Sequence, residues 1–349
     1  MRSPAGHFER NVGKVKRKRV KKTQMNKKRS AFSGKIGYVL SAAGASVGLG
    51  NIWRFPYLAA KYGGGIFLLV YIILALTFGY TMIVAESALG RMTRKSPVGA
   101  FRSFAKGKKV GWLSFGGWIN AIIPVLIVPY YSVIGGWVVK YLFEYIRGNG
   151  SKLAEDGYFS GFISNGGATE ICFVIFCMFT LVIIYAGVQN GIERVSKIMM
   201  PILIILSVII AIYSVTRPGA IEGVKYFLVP NVKNFSWMTV VAAMGQMFYS
   251  LSIAMGILVT FGSYMRKDTS IEDSTRNVEI FDTAIAMMAG LMIIPAVFAF
   301  SGGDPDTLQA GPSLMFITIP KVFANMGFGT AVGILFFVLV LFAAVTSSI

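Results

Sequence analysis

Polar and apolar residues segregate along this 349-residue chain instead of alternating. Eight predominantly apolar runs recur, at about 36–59, 65–90, 112–145, 168–187, 192–215, 237–264, 277–301 and 328–349. Each is long enough to cross roughly 30 Å of hydrocarbon as an α-helix. The third is longer than a bilayer needs, which predicts tilt or projection beyond the membrane. The pattern predicts an all-α polytopic membrane protein.

Two runs carry residues that a membrane helix does not favour. The first contains GASVGLGNIWRFP, Gly44 to Pro56, with three glycines, Ser46, Asn51 and Arg54. The sixth contains GQMFYSLSIAMGILVTFGSY, where Ser250, Ser252, Ala254 and Gly256 follow Gln246. Broken backbone in lipid leaves polar groups that cost several kcal/mol each. It persists only where it lines a cavity, so that freed N–H groups face an anion and freed C=O groups a cation. Glycines can also serve close helix packing, and that reading suits 63–65 and Gly135–Gly136. An Asn beside two glycines, with an Arg three residues on, exceeds what packing needs. Breaks in spans one and six, about 200 residues apart, predict an inverted-repeat transporter built from five-helix units. On that plan 31–215 is the first repeat (TM1–TM5), 216–236 an extracellular loop and 237–349 the start of the second repeat (TM6–TM8).

Composition supports the membrane reading. The chain is 55% hydrophobic and only 14% charged, against about 25% charged in soluble domains. The net charge is +19, and residues 1–30 hold twelve Lys/Arg and one acid. That segment predicts a disordered basic cytoplasmic tail facing anionic lipid. It lacks the features of a cleaved signal peptide. Seven Lys/Arg and no acid lie in 91–109, which predicts a cytoplasmic N-terminus in a multi-pass protein of the cell (inner or plasma) membrane. A nucleic-acid partner would rest on the tail alone and is not expected. The one histidine, His7, lies in the tail, and Cys172 and Cys177 lie in the fourth span. His-, Cys- and zinc-based chemistry therefore have no sequence support, and an enzyme is not expected.

The stretch AAGASVGLGNIWRFPYLAAKYGGGIFLLVYII resembles the signature of the neurotransmitter:sodium symporter family. GWINAIIPVLIVPYYSVIGGW, GIERVSKIMMP, GQMFYSLSIAMG, IFDTAIAMMAG and FAAVTSSI extend the likeness over 29–349, closest to the prokaryotic amino-acid branch. The resemblance implies the LeuT fold, a five-helix inverted repeat (incomplete here) with discontinuous helices 1 and 6. It implies that Leu49, Gly50 and Tyr131 hold a substrate carboxylate, and that Ser46, Tyr249, Ser250 and Ser252 hold its amine. Ile127, Tyr131, Tyr249, Ser252, Met255 and Ser348 would surround its side chain. These are mostly apolar, so a neutral, hydrophobic amino acid is expected. Amine transporters of the family carry an Asp where Gly48 stands; Gly48 implies a substrate that brings its own carboxylate.

The resemblance further implies two Na⁺ ions and no organic cofactor. Site 1 would use Ser46, Asn51, Ser250, Asp282 and the substrate carboxylate. Site 2 would use Gly44, Val47, Ala343, Thr346 and Ser347. Chloride-dependent members place a Ser where Ala286 stands, so the Asp282 carboxylate implies chloride independence. Glu86 would satisfy the unwound sixth helix, and Gly191 and Pro201 match a pattern that lets the fifth helix unwind. The gates would be Arg54 outside, paired with an acid of a later helix, and Arg29, Phe32, Ser263 and Tyr264 inside, with Phe32 where the family has Trp. The expected partners are an amino acid, Na⁺ and the lipid bilayer, with a homodimer left open. Family members continue well beyond Ile349, so the chain reads as truncated within transmembrane helix 8. A non-transporting amino-acid sensor and a symporter of another small zwitterion are the alternatives to a sodium-coupled amino-acid importer working by alternating access. A channel would need a continuous polar lining.

Overall fold

Six of the eight runs form continuous helices long and apolar enough to cross a membrane, and the other two are interrupted. The computed structural model describes residues 31–105, 112–302 and 311–349. The predicted tail 1–30, with Arg29, lies outside the described residues. Phe32–Ile349 forms one compact unit.

The first run gives α1 (Lys35–Ser46), a π-helical turn (Gly50–Arg54) and α2 (Phe55–Lys61). The break falls at Val47, whose ψ of 93° is extended. Two glycines permit what surrounds it. A Cβ on Gly48 would lie 2.7 Å from Ser347 Oγ and 2.8 Å from the Tyr131 hydroxyl; one on Gly50 would lie 2.5 Å from the Tyr249 ring. Neighbouring helices therefore approach the backbone itself at this point.

The second run gives α3 (Gly65–Leu74) and α4 (Tyr80–Thr93), joined by a π-helical segment, Ala75–Gly79. A short helix, α5 (Pro97–Ala105), precedes α6 (Leu113–Ile146), which runs through Pro124 and Pro129. The next spans are α7 (Gly166–Tyr185) and α8 (Arg194–Val215), α8 preceded by a π-helical turn, Val188–Glu193. That turn contains Gly191, while α8 continues unbroken through Pro201. The segment read as a loop, 216–236, is structured: it carries α9 (Ala220–Leu228) and a 3₁₀ turn.

The sixth run starts with a capping box, in which Ser236 accepts from Thr239 N and Thr239 from Ser236 N. It then forms α10 (Trp237–Ser250) and α11 (Ile257–Tyr264). Between them Ser252, Ala254 and Gly256 adopt left-handed φ values of 55°, 62° and 71°. For the two non-glycine residues this costs about 1–3 kcal/mol each. The Glu86 carboxylate offsets part of that cost by accepting from Ala254 N at 2.7 Å. The seventh run was expected from 277, yet α12 spans Ile271–Ser301. Ser270 caps it and accepts from Asp273 N; the charged first turns belong to the helix because acids suit its N-terminus. A π-helical turn, Leu314–Thr318, leads into α13 (Ile319–Ala324), and α14 (Gly329–Ser348) closes the chain.

The interrupted helices sit inside this bundle. α12 packs against α1, α4, α8 and α9; α14 packs against α1, α6 and α8. Both breaks thereby face α6, α12 and α14, and the core between them is polar: Asn51, Ser250 and Asp282 are all essentially inaccessible.

Replacing Glu86 by Ala strands the Ala254 N–H, which should destabilise the protein by about 1–3 kcal/mol. Glu86→Gln keeps an acceptor and should recover most of the loss. Thermal melting in detergent reads both; a Glu86→Ala protein that melts like the parent would show that the carboxylate does not support the break.

Candidate functional site

A cavity lies where the two broken helices face α6 and α14. All ten residues expected around a substrate line it: Ser46, Leu49, Gly50, Ile127, Tyr131, Tyr249, Ser250, Ser252, Met255 and Ser348. Ala45, Val128 and Ile257 extend the apolar wall and were not foreseen. At the polar end Leu49 N donates to the Tyr131 hydroxyl at 3.2 Å. Gly48 N donates to Asn51 Oδ1 at 3.2 Å. These amides point into the break because the extended Val47 takes them out of the helical ladder.

Asp282 is the only acid lining this core among the residues named for the site. Asn51 Nδ2 donates to its Oδ1 at 2.8 Å and to its carbonyl at 3.3 Å. Ser250 Oγ lies 3.0 and 2.8 Å from the two carboxylate oxygens. The Tyr71 hydroxyl donates to Oδ2 at 3.4 Å. Every one of these donors is neutral. A buried carboxylate held by neutral donors alone has no counter-charge from the protein, a setting in which a small cation can bind. Gln246 Nε2 adds a bond to the Gly50 carbonyl at 3.1 Å, tying α10 to the first break. The Ser46 hydroxyl is buried without a partner.

A second oxygen cluster lies where α14 meets α1. Ser347 Oγ is 3.1 Å from both the Gly44 and Val47 carbonyls. One hydroxyl carries one proton and cannot serve both acceptors. Thr346 Oγ1 bonds the Phe342 carbonyl at 2.8 Å and the Ala343 carbonyl at 3.3 Å. Gly44, Val47, Ala343, Thr346 and Ser347 thus gather hard oxygen atoms in excess of donors, which suits an alkali cation.

One end of the cavity is roofed by aromatic rings. The Arg54 guanidinium lies 5.1 Å from the Tyr249 ring centre, and its Nη1 reaches the Gly245 carbonyl at 3.5 Å. The hydroxyls of Tyr130 and Tyr249 are 3.2 Å apart. Tyr130 had no signal in the sequence beyond its place next to Tyr131, because its partner comes from another helix. At the N-terminal end of α1, Phe32 is buried edge-on to Tyr38 and Phe261, both at 5.7 Å. Phe32 N donates to the Tyr264 carbonyl at 3.2 Å, and Ser263 Oγ to the Thr260 carbonyl at 2.7 Å. An ion pair missed from sequence adds to this end: Lys197 bonds Glu193 at 2.6 Å, and Glu193 accepts from both Ser33 N and Ser33 Oγ. The i, i+4 spacing of Glu193 and Lys197 was its only sequence signal.

Comparison with known proteins identifies the family and the fold. The model of the sodium:neurotransmitter symporter family matches residues 29–151 and 158–349. An uncharacterized sodium-dependent transporter of Bacillus subtilis (strain 168), YhdH, is 38% identical over 91% of this chain and 69% of its own length. An uncharacterized sodium-dependent transporter of Haemophilus influenzae is 35% identical over 94% of this chain and 73% of its own. The human sodium- and chloride-dependent GABA transporter 2 is 27% identical, with 91% of this chain and 60% of its own length aligned. Among solved structures, MhsT in complex with L-phenylalanine superposes with a TM-score of 0.82 at 39% identity, over 92% of this chain and 72% of that one. The fold is therefore that of LeuT-type transporters, and the chain belongs to the sodium:neurotransmitter symporter family.

Proposed function

We propose that the protein is a symporter that couples the import of a neutral, hydrophobic amino acid to two sodium ions, without chloride. The observation that carries this reading is the wholly buried Asp282 carboxylate, bonded by Asn51, Ser250 and Tyr71 and, among the described residues, by no cationic side chain. A sodium ion beside it supplies the missing charge, with Asn51, Ser250 and the Ser46 carbonyl as further oxygen ligands. The substrate carboxylate, held by the Leu49 and Gly50 amides and the Tyr131 hydroxyl, completes that shell. Ion and substrate then strengthen each other, because each supplies part of the other's site. A second ion takes the oxygens around Ser347 and fastens α14 to the broken first helix.

The substrate class follows from the lining. Gly48 supplies no carboxylate of its own, so the substrate brings one. Ile127, Val128, Met255 and Ile257 offer apolar wall and no charged partner. Met255 adapts to several shapes. A relative of known structure holds L-phenylalanine, which is consistent with an amino acid of this kind. Ala286 places no hydroxyl where a chloride ligand would be needed, and Asp282 carries the negative charge instead. Alternating access then uses two barriers, the Arg54–Tyr249 roof and the Phe32–Glu193 plug.

Titrating amino-acid binding against Na⁺ tests the coupling. Asn51→Ala removes a donor to a charged group, worth about 1.5–3 kcal/mol, so Na⁺ and substrate affinities should fall together by about tenfold or more. An unchanged Na⁺ dependence would place the ion elsewhere. Replacing chloride by gluconate should leave uptake intact; a collapse would contradict chloride independence. Tyr130→Phe and Tyr249→Phe should each speed substrate release by about 3–10-fold, the effect of one hydrogen bond, and the double variant should release no faster than either. Normal release from Tyr130→Phe beside fast release from Tyr249→Phe would show that the two hydroxyls are not partners.

A further inference from the structure

One acid in the spanning core takes no part in the site above. Glu279 lies on α12, three residues before Asp282 and one turn nearer the end at which that helix begins. It is 2% exposed, and its Oε1 has no hydrogen-bond partner. The Thr283 hydroxyl, at i+4 and so on the same face, is also buried without a partner. The Glu279 carboxylate lies within electrostatic reach of Asp282 and of the Tyr71 phenol, and Tyr71 already donates to Asp282.

The charged groups on the elements packed against α12 are engaged elsewhere or, like Arg194 on α8 and Glu272 on α12, exposed. On α1, Lys35 faces Asp273, and the Tyr38 hydroxyl bonds Ser87. On α4, Glu86 accepts from Ala254 N and Arg91 donates to the Thr269 carbonyl. On α8 and its leading turn, Lys197 pairs with Glu193. On α9, Lys225 pairs with Glu222; on α13, Lys321 pairs with Asp156. At the first break Arg54 reaches Gly245, and on α2 Lys61 reaches Tyr57. On α12 itself, Arg276 pairs with Asp273.

Two carboxylates one turn apart thus share a water-poor core, and a single ion at Asp282 neutralises only one of them. Like charges so placed cannot both stay ionised without a second positive charge. We propose that Glu279, with the Thr283 hydroxyl, is an additional cation site that takes this second charge, as a sodium ion or as a proton from water added to the carboxylate. The inference rests on the reading of Asp282 as a sodium ligand. The site lies between Asp282 and the side of the membrane on which α12 begins, so its occupancy is coupled to arrival and departure of the ion at Asp282. A cation at Glu279 weakens the field that holds Na⁺ at Asp282, and its loss restores it.

The test compares the full chain with its Glu279→Gln variant by ²²Na⁺ binding between pH 6 and pH 8. If sodium supplies the charge, the variant binds one Na⁺ fewer per chain at saturation. If a proton supplies it, the count is unchanged, but the parent's weakening of Na⁺ affinity on acidification shrinks by about threefold or more in the variant. Either result supports the site and identifies the cation. An unchanged count together with an unchanged pH dependence overturns it. A parent that binds no ²²Na⁺ at any pH removes the sodium reading of Asp282 and this site with it, a different outcome from a variant that matches a sodium-binding parent. Melting in K⁺ medium is the check on folding. Glu279→Gln should melt at or above the parent, since an uncompensated acid is gone; a variant melting well below it contradicts the proposal by making Glu279 a structural partner.

Discussion

The packing of the two broken helices turns on one buried acid, Asp282. Asp282 is inaccessible to solvent and accepts from Asn51 on the first broken helix, Ser250 on the second and Tyr71 on α3. It therefore ties both broken helices to α3 beside the cavity. Neutral donors hold the carboxylate in place but do not cancel its charge. On the proposed reading a cation completes this site, and the geometry of both broken helices is then linked to the ion. Family membership supplies the sodium dependence, and the buried acid supplies a physical reason for it.

The breaks themselves are held at some cost. Ser252 and Ala254 adopt left-handed backbone, and Val47 leaves the helical ladder. The structure compensates locally. Glu86 takes the Ala254 amide, Gln246 takes the Gly50 carbonyl, and the Ser347 hydroxyl sits between two carbonyls of the first break. Each compensation comes from a different helix. The unwound segments are thus set by the packing of the bundle, and a small shift of α12 or α14 would change which backbone groups are free.

Much of this was legible in the sequence, for identifiable reasons. The spans show in hydropathy because lipid imposes it. The first break shows because Gly48, Gly50 and Asn51 are the wrong residues for a helix interior. The start of α12 was misplaced by about six residues, since its acidic and basic first turns break the apolar run although Ser270 caps a helix there. The structured segment at 216–236 was read as a loop for lack of a long apolar stretch. Tyr130, Ser33 and Glu193 were missed for another reason. Their partners lie on helices far away in sequence, and no spacing rule brings Tyr130 to Tyr249 or Ser33 to Glu193.

The most direct test of sodium-driven transport is uptake of a radiolabelled hydrophobic amino acid into proteoliposomes under an inward Na⁺ gradient, with K⁺ replacing Na⁺ as the control. The internal concentration should rise above the external one, saturate with substrate and collapse when an ionophore dissipates the gradient. Binding without accumulation would mark a sensor of the same fold, and flux that never saturates would mark a channel; either result would contradict the symporter.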